Sequence, residues 1–267
     1  MGTGRATMMK IGTYNVLGLT GYPPMEAEAC IGPPGAASNR DHFTRVFAGL
    51  ECDILALQEG VPVRAMQAIA RAINFGLATF PSPLNWPGHV LSRYPILESR
   101  VFSHADPSEE TPPFSRCCGA ALLELEPGAA LWVVGLHLHP HDPEFRGREA
   151  DILKERLQEL QAVTKDVIVM GDFNSQVDER VHRNLKGMGY SNAMESVGGG
   201  IQATIDTAGL DPHCVDHIYC SPSVAPHLES ASVVRDPGFR HDGPQETGAW
   251  SHSDHLPVVA QLVDETV

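Results

Sequence analysis

Short apolar runs recur along the 267-residue chain, with clusters of turn residues between them. "MMKIGTYNVLG" (8–18) reads as a first strand, and the Pro-, Gly- and Ala-rich "GYPPMEAEACIGPPGAASN" (21–39) as loop. In "RDHFTRVFAGLE" the spacing of Phe43, Val46, Phe47 and Leu50 predicts a helix. "CDILALQEG" is a second strand ending in Glu59. "PVRAMQAIARAI" is a helix whose Pro62 suits the first turn. "GHVLSRYPI" reads as a strand broken at Pro95, and "GAALLELEPGAALWVVGLHLHP" as a hairpin turning at Pro127–Gly128. A long amphipathic helix carries Ile152, Leu153, Leu157 and Leu160. The strand "DVIVMGDFNSQ" and the short helix "VHRNLKGMG" follow it. "HCVDHIYCSP", "ASVVRD" and "HLPVVAQLV" are the last strands. Neither an internal repeat nor a linker divides the chain, so residues 1–267 are expected to form one domain. Strands adjacent in sequence imply hairpins, and the helices between others imply crossovers. The expected class is α/β, with mixed sheets and helices outside.

Composition changes this picture little. Hydrophobic residues at 42% and charged residues at 19% describe an ordinary globular chain. The formal net charge of −14, with no Lys/Arg cluster, argues against a dedicated nucleic-acid binder, because neutralised phosphates supply much of that affinity. Six cysteines are too sparse for a disulfide scaffold and read as reduced core thiols. Cys214, His217 and Cys220 have zinc-like spacing, but on a strand His217 would face away from the two thiols. The N-terminal stretch lacks the apolar run of a signal peptide, and Ala6 breaks a myristoylation pattern at Gly2. No stretch reaches a transmembrane length, so a cytoplasmic protein is the default expectation, and with no signal for an oligomer a monomer is the default too.

Several strands end in polar residues that their apolar runs do not explain: Asn15, Glu59, His137, Asp172 with Asn174, and Asp216; Asp254 and His255 precede the last strand. Each has a local alternative. Asn15 could satisfy a turn, Glu59 could cap the next helix and His137 could be a hydrogen-bonded core histidine. Asp172 and Asn174 could form an Asx turn, and Asp216 could pair with an arginine. A shared site needs one explanation for all of them, namely metal-assisted attack on a phosphate ester. Mg²⁺ takes oxygen ligands and keeps several waters, so one or two carboxylates suffice, and Glu59 suits that place. Asp172 suits orientation or deprotonation of water. Asn15 and Asn174 are neutral donors, and a charged histidine stabilises or protonates phosphate oxygens. Neighbouring side chains in an extended segment diverge, so the carboxylate that orients His255 should come from somewhere other than Asp254.

The ordered set "TYNVLG", "DILALQEG", "VLSRYPI", "GLHLHP", "VIVMGDFNSQ", "VDHIYCSP" and "SHSDHLPVV" resembles the endonuclease/exonuclease/phosphatase superfamily over nearly the whole chain. The resemblance implies a four-layer DNase I-like sandwich, two packed mixed sheets flanked by helices, with the site where strand ends of both sheets meet. It implies Glu59 as the main Mg²⁺ ligand (Mn²⁺ a substitute), with Asn15 beside it and Asp254 as a metal-side carboxylate. Asp172 would activate water, Asn174 bind phosphate and His137 sit on the scissile phosphate. Asp216 would orient the catalytic His255. Arg93 matches a segment read chiefly as structural, with phosphate contact as the lesser reading. "GLHLHP" resembles the sphingomyelinase and small-diesterase branch; if the strand continues, His139 shares a face with His137 and reaches substrate. The loops carrying Trp86, Phe114 and Arg116 could wall a pocket or simply pack. The expected activity is Mg²⁺-dependent hydrolysis of a phosphodiester or phosphomonoester of a small or lipid-like substrate by in-line attack of water. The alternative is a metal-dependent endo- or exonuclease on DNA or RNA.

Overall fold

The structure, a computed structural model, describes residues 7–84, 86–103, 111–205, 212–239 and 248–264. In chain order the elements are β1 (Thr7–Asn15), α1 (Pro24–Ile31), α2 (Ala37–Gly49), β2 (Ile54–Gln58), α3 (Val63–Ala72), β3 (Gly76–Phe80), β4 (Gly88–Ser92), β5 (Ile96–Val101), β6 (Cys117–Glu126), β7 (Ala129–His137), α4 (Pro143–Leu160), β8 (Val167–Asp172), α5 (Arg180–Gly187), β9 (Ser191–Asn192), α6 (Ala193–Val197), β10 (Asp216–Cys220), β11 (Leu228–Val233) and β12 (Val258–Asp264).

The strands form two six-stranded sheets, ordered β11-β12-β1-β2-β4-β3 and β5-β6-β7-β8-β10-β9. Each has one parallel pair near its centre, β1/β2 and β7/β8, and is otherwise antiparallel. A parallel pair needs a crossover. α1 and α2 lie in the first crossover and α4 in the second.

Period-two alternation sorts the strands between the layers. Val133, Ile168 and Met170 join Ile11, Ile54, Ala56 and Val258 in the core between the sheets. Trp132, Val134, Val167 and Val169 point the other way, onto Leu153, Leu157 and Leu160 of α4. Both faces of β8 are therefore buried, which is why "VIVM" is continuously apolar rather than alternating.

One expectation is corrected and one strand is added. The 21–39 stretch contains α1, started by Pro23 at the N-cap and Pro24 in the first turn, and stopped at Gly32 with φ 82°. β3 joins the edge of the first sheet, from a segment too short and mixed in pattern to be read. All six cysteines are free thiols; Cys220 lies in the inter-sheet core, while His217 Nε2 bonds the Cys214 carbonyl at 2.9 Å. No helix among the described residues is long and apolar enough to cross a membrane.

Candidate active site

Strand direction gathers the polar ends. In the parallel pairs Asn15 lies beside Gln58, and His137 beside Asp172, so β1, β2, β7 and β8 all finish at one edge. β10 runs antiparallel to β8 and starts there, with Asp216 opposite Asp172. β12 runs antiparallel to β1, with Val258 opposite Thr13, so the preceding Ser253–His255 enters at the same edge.

Asp172 is the hub. Its Oδ1 accepts the Asn174 backbone N–H at 2.9 Å, while its Oδ2 accepts from Asn15 Nδ2 at 3.0 Å. That same Oδ2 lies 3.5 Å from His137 Nε2 and 3.8 Å from His255 Nε2. The Asx turn and the shared site are thus both present, one on each carboxylate oxygen. Gly171 permits the approach: at φ 154° its missing Cβ would lie 1.9 Å from the Leu136 carbonyl oxygen, so β8 could not otherwise close on β7 here. Asn15 also reaches Glu59 Oε1 at 3.3 Å, while its own Oδ1 accepts the Leu17 N–H at 3.1 Å. Glu59 and Asn174 are both held at left-handed φ, 49° and 48°, uncommon for residues other than glycine and concentrated at functional sites.

The two site histidines differ in charge. Burial alone would lower the pKa of His255. It is outweighed by Asp216, whose Oδ2 meets His255 Nδ1 at 2.8 Å, and by the charges of Asp172 and Asp254, so the ring is held well above its ordinary value. His137 is pushed down to about 4 by burial, which the Asp172 charge only partly offsets. A neutral ring with its proton on Nε2, toward Asp172, fits the environment, because the buried Nδ1 has no partner. Burial raises the pKa of Glu59 and of Asp172 as well. Asn15 and His255 oppose this at Glu59, and His137 leads the opposition at Asp172.

A divalent cation fits the Glu59 side of this site. Glu59 and Asp172 face each other across one amide, Asp254 adds to the negative potential at Glu59, and His255 supplies an opposing positive charge there. Asp172, Asp216 and His255 also place ligand atoms within 4.8 Å of one another. The Asp216–His255 contact is already closed by a hydrogen bond, so that trio reads as a proton-holding set.

Asp254 is half-buried, with its Oδ1 3.3 Å from Ser253 Oγ. Asn174 donates from Nδ2 to the Leu138 carbonyl at 3.0 Å. His139 departs from expectation. β7 ends at His137, Leu138 turns inward, and His139 Nδ1 accepts the N–H groups of His141 and Asp142 as the chain turns into α4. Arg93 is not brought to the site. β4 runs antiparallel to β2, so the residue after Ser92 emerges at the opposite edge and pairs with Asp53 at 3.0 Å.

Sequence reasoning missed Ser253, Thr204 and Glu149. Ser253 Oγ bonds the Asn15 carbonyl at 2.7 Å and accepts the His255 N–H at 3.2 Å. Thr204 Oγ1 accepts the N–H groups of Val215 and Asp216. Buried Glu149 binds Ser115 and the His139 N–H. Of these, only Ser253 carried a signal, its place within "SHSDH".

Carboxylates converging on a charged histidine are a set of groups suited to acid–base chemistry. The chain belongs to the Endonuclease/Exonuclease/phosphatase family, phosphoester hydrolases, whose model matches residues 12–255. Its fold is similar to that of an endonuclease/exonuclease/phosphatase family protein from Bacteroides thetaiotaomicron (17% identity, 98% of this chain and 99% of that one, TM-score 0.73). It is also similar to the mannosyl-6-phosphatase of Bacteroides thetaiotaomicron VPI-5482 (18%, 96% and 99%, TM-score 0.72). A third similar structure is a Neisseria 3′ phosphatase bound to a product DNA hairpin (17%, 95% and 99%, TM-score 0.67). No curated protein sequence matches the chain.

Proposed function

We propose that the protein is a Mg²⁺-dependent phosphoesterase acting on a small or lipid-like phosphate ester, a diester in preference to a monoester, with both sheets working as one domain. The observation that carries this is the single Asp172 oxygen shared by the Asn15 amide and two imidazoles, one of them locked to Asp216.

In this reading Asp172 orients the attacking water and takes its proton. A buried carboxylate with a raised pKa is a better base than an exposed one. Water oxygen bonds to phosphorus as the ester P–O bond on the far side breaks, and the leaving oxygen takes a proton from solvent to depart as the alcohol. His255, charged and held by Asp216, stabilises the phosphoryl oxygens, while neutral His137 and Asn174 act as polar contacts beside them. Glu59, with Asp254 and Asn15 beside it, would hold Mg²⁺, which when bound supplies positive charge against the phosphoryl and leaving oxygens. The −14 net charge favours a small ester over a polyanion.

A panel of phosphate esters, plasmid DNA and single strands, assayed with Mg²⁺, Mn²⁺ and chelator, tests this reading. Metal-dependent ester turnover is expected. Glu59→Ala should raise the Mg²⁺ needed for half-maximal activity at least tenfold and weaken calorimetric Mg²⁺ binding equally. Robust, salt-sensitive DNA cutting with idle esters would replace this reading with a nuclease. An unchanged metal titration would remove Glu59 from the cation site.

A further inference from the structure

A groove of about 610 Å³ opens beside Glu59. Leu19, Val61, Pro62, Leu84 and Trp86 make its walls, and Arg40 is the one charged side chain among its described lining. Its wall adjoins the backbone around Glu59. Gly18 and Gly60, both in its lining, flank Glu59: the Gly18 N–H donates to the Glu59 carbonyl at 2.7 Å, and the Gly60 N–H to the Pro87 carbonyl, next to Trp86, at 2.8 Å.

Arg116 lies beside Trp86 of the groove, and its charge acts on His137 of the site. It precedes Cys117, which pairs across β6/β7 with His137, and its guanidinium carbon lies 5.7 Å over the Trp86 ring. Its Nε is buried without a partner, and no carboxylate pairs with it among the described residues. Glu149 fixes the segment, accepting from Ser115 N and Oγ at 2.8 and 2.9 Å. In so acidic a chain, a guanidinium held against an indole and left without a carboxylate is suited to an anion from outside.

We propose that the groove is the subsite for the ester group: an apolar alkyl or aryl substituent packs on Trp86 and Leu84, and Arg116 holds an oxygen of the phosphate that carries it. This rests on the phosphoester reading and narrows its substrate class. A sugar-phosphate chain would need cations along the groove, where the described lining offers only Arg40.

Binding of methyl, butyl and hexyl phosphate by calorimetry, with and without Mg²⁺, tests the groove separately from turnover. Affinity should rise about three- to fourfold per added methylene, with a negative heat-capacity change. Trp86→Ala and Leu84→Glu should flatten that rise. Arg116→Gln should weaken all three ligands evenly, about tenfold, and leave the rise intact. A flat series in the parent protein, or a rise that both groove variants leave untouched, overturns the proposal. Chain-length-dependent binding by a protein that turns over no ester keeps the groove and removes the hydrolase reading. Ester turnover with a flat binding series does the reverse.

Discussion

Two buried histidine clusters lie back to back at the ends of β8 and β10. On the site side, His255 faces Asp216 and Asp172. On the other side, His182 and His217 sit with ring centres 4.8 Å apart against Phe173 and Tyr219. Their polar partners are neutral: His182 meets Ser175 Oγ and Tyr219 OH, and His217 meets the Asn192 amide and the Cys214 carbonyl. Burial pushes His182 down to about 4 and His217 to about 3, whereas the carboxylates lift His255 well above its ordinary value. Burial is shared, and it is outweighed at His255, where Asp216 hydrogen-bonds the ring, but not at His137, where Asp172 lies 3.5 Å away. Strand alternation draws the boundary, since Asp216 and His217 are consecutive on β10 and point to opposite faces. Asp172 and Phe173 divide in the same way at the end of β8.

Removing the site's central anion should break the contrast most severely. Asp172→Asn is expected to lower kcat on bis-p-nitrophenyl phosphate by about 10³-fold or more. Thermal unfolding should show no loss, because burial raises the carboxyl's pKa and its charged form burdens the fold at neutral pH. Near-parental kcat would take Asp172 out of the reaction. Asp216→Asn is a smaller step, about 10²-fold in kcat. It should also move the His255 titration to lower pH, read by NMR or by the alkaline limb of kcat/KM, since the carboxylate that most favours the charged ring is gone. A limb that stays in place would mean that Asp216 does not hold the proton.

The neutral cluster predicts acid sensitivity with a definite sign. His182 and His217 have folded pKa values of about 4 and about 3, below the ordinary 6.5. As pH falls below that value the unfolded chain takes up protons that the folded chain refuses, so stability declines toward acid. Each histidine contributes roughly 1.4 kcal/mol per pH unit while its folded form stays neutral. His255 runs oppositely: its contribution is full below the unfolded pKa and lost as pH rises through its raised folded value. Urea titrations of His217→Phe at several acid pH values should show a shallower dependence by about one proton. An unchanged slope would mean that His217 is protonated in the fold.

The strand ends were legible because each polar residue interrupts an apolar run that both sheet faces bury. β8 shows it plainly, "VIVM" for the core and Asp172 for the site. In "GDFN" the Asx turn and the convergence on other strand ends coexist, since separate oxygens of Asp172 take the Asn174 N–H and the Asn15 amide. Asp254 was set aside as the partner of His255 on geometric grounds, and the hydrogen bond goes to Asp216, 39 residues away. What stayed illegible depended on where a strand stops or which way it runs. His139 follows His137 by two residues, yet β7 ends at His137, so its ring caps the turn into α4. α1 was hidden by composition, because its prolines and glycine mark helix ends as readily as loops.

Arg93 is the sharpest case, and its removal should have the smallest effect. "LSRYP" stands in family order between two site motifs, but order says nothing of strand direction. β4 returns along β2 and carries Arg93 level with Asp53, six residues and so roughly 20 Å from Glu59 at about 3.3 Å per residue. There Arg93 Nη1 pairs with Asp53 at 3.0 Å, the guanidinium lies 5.8 Å over the Phe75 ring, and the side chain is 61% exposed. Asp53 would keep the Lys10 N–H at 2.8 Å if the arginine were removed. Arg93→Ala should therefore leave kcat/KM within about twofold and lower unfolding stability by no more than about 1 kcal/mol. A tenfold fall in kcat/KM with unchanged unfolding would place substrate at both edges of the first sheet. The reacting centre would then no longer be confined to the edge where the carboxylates meet His255.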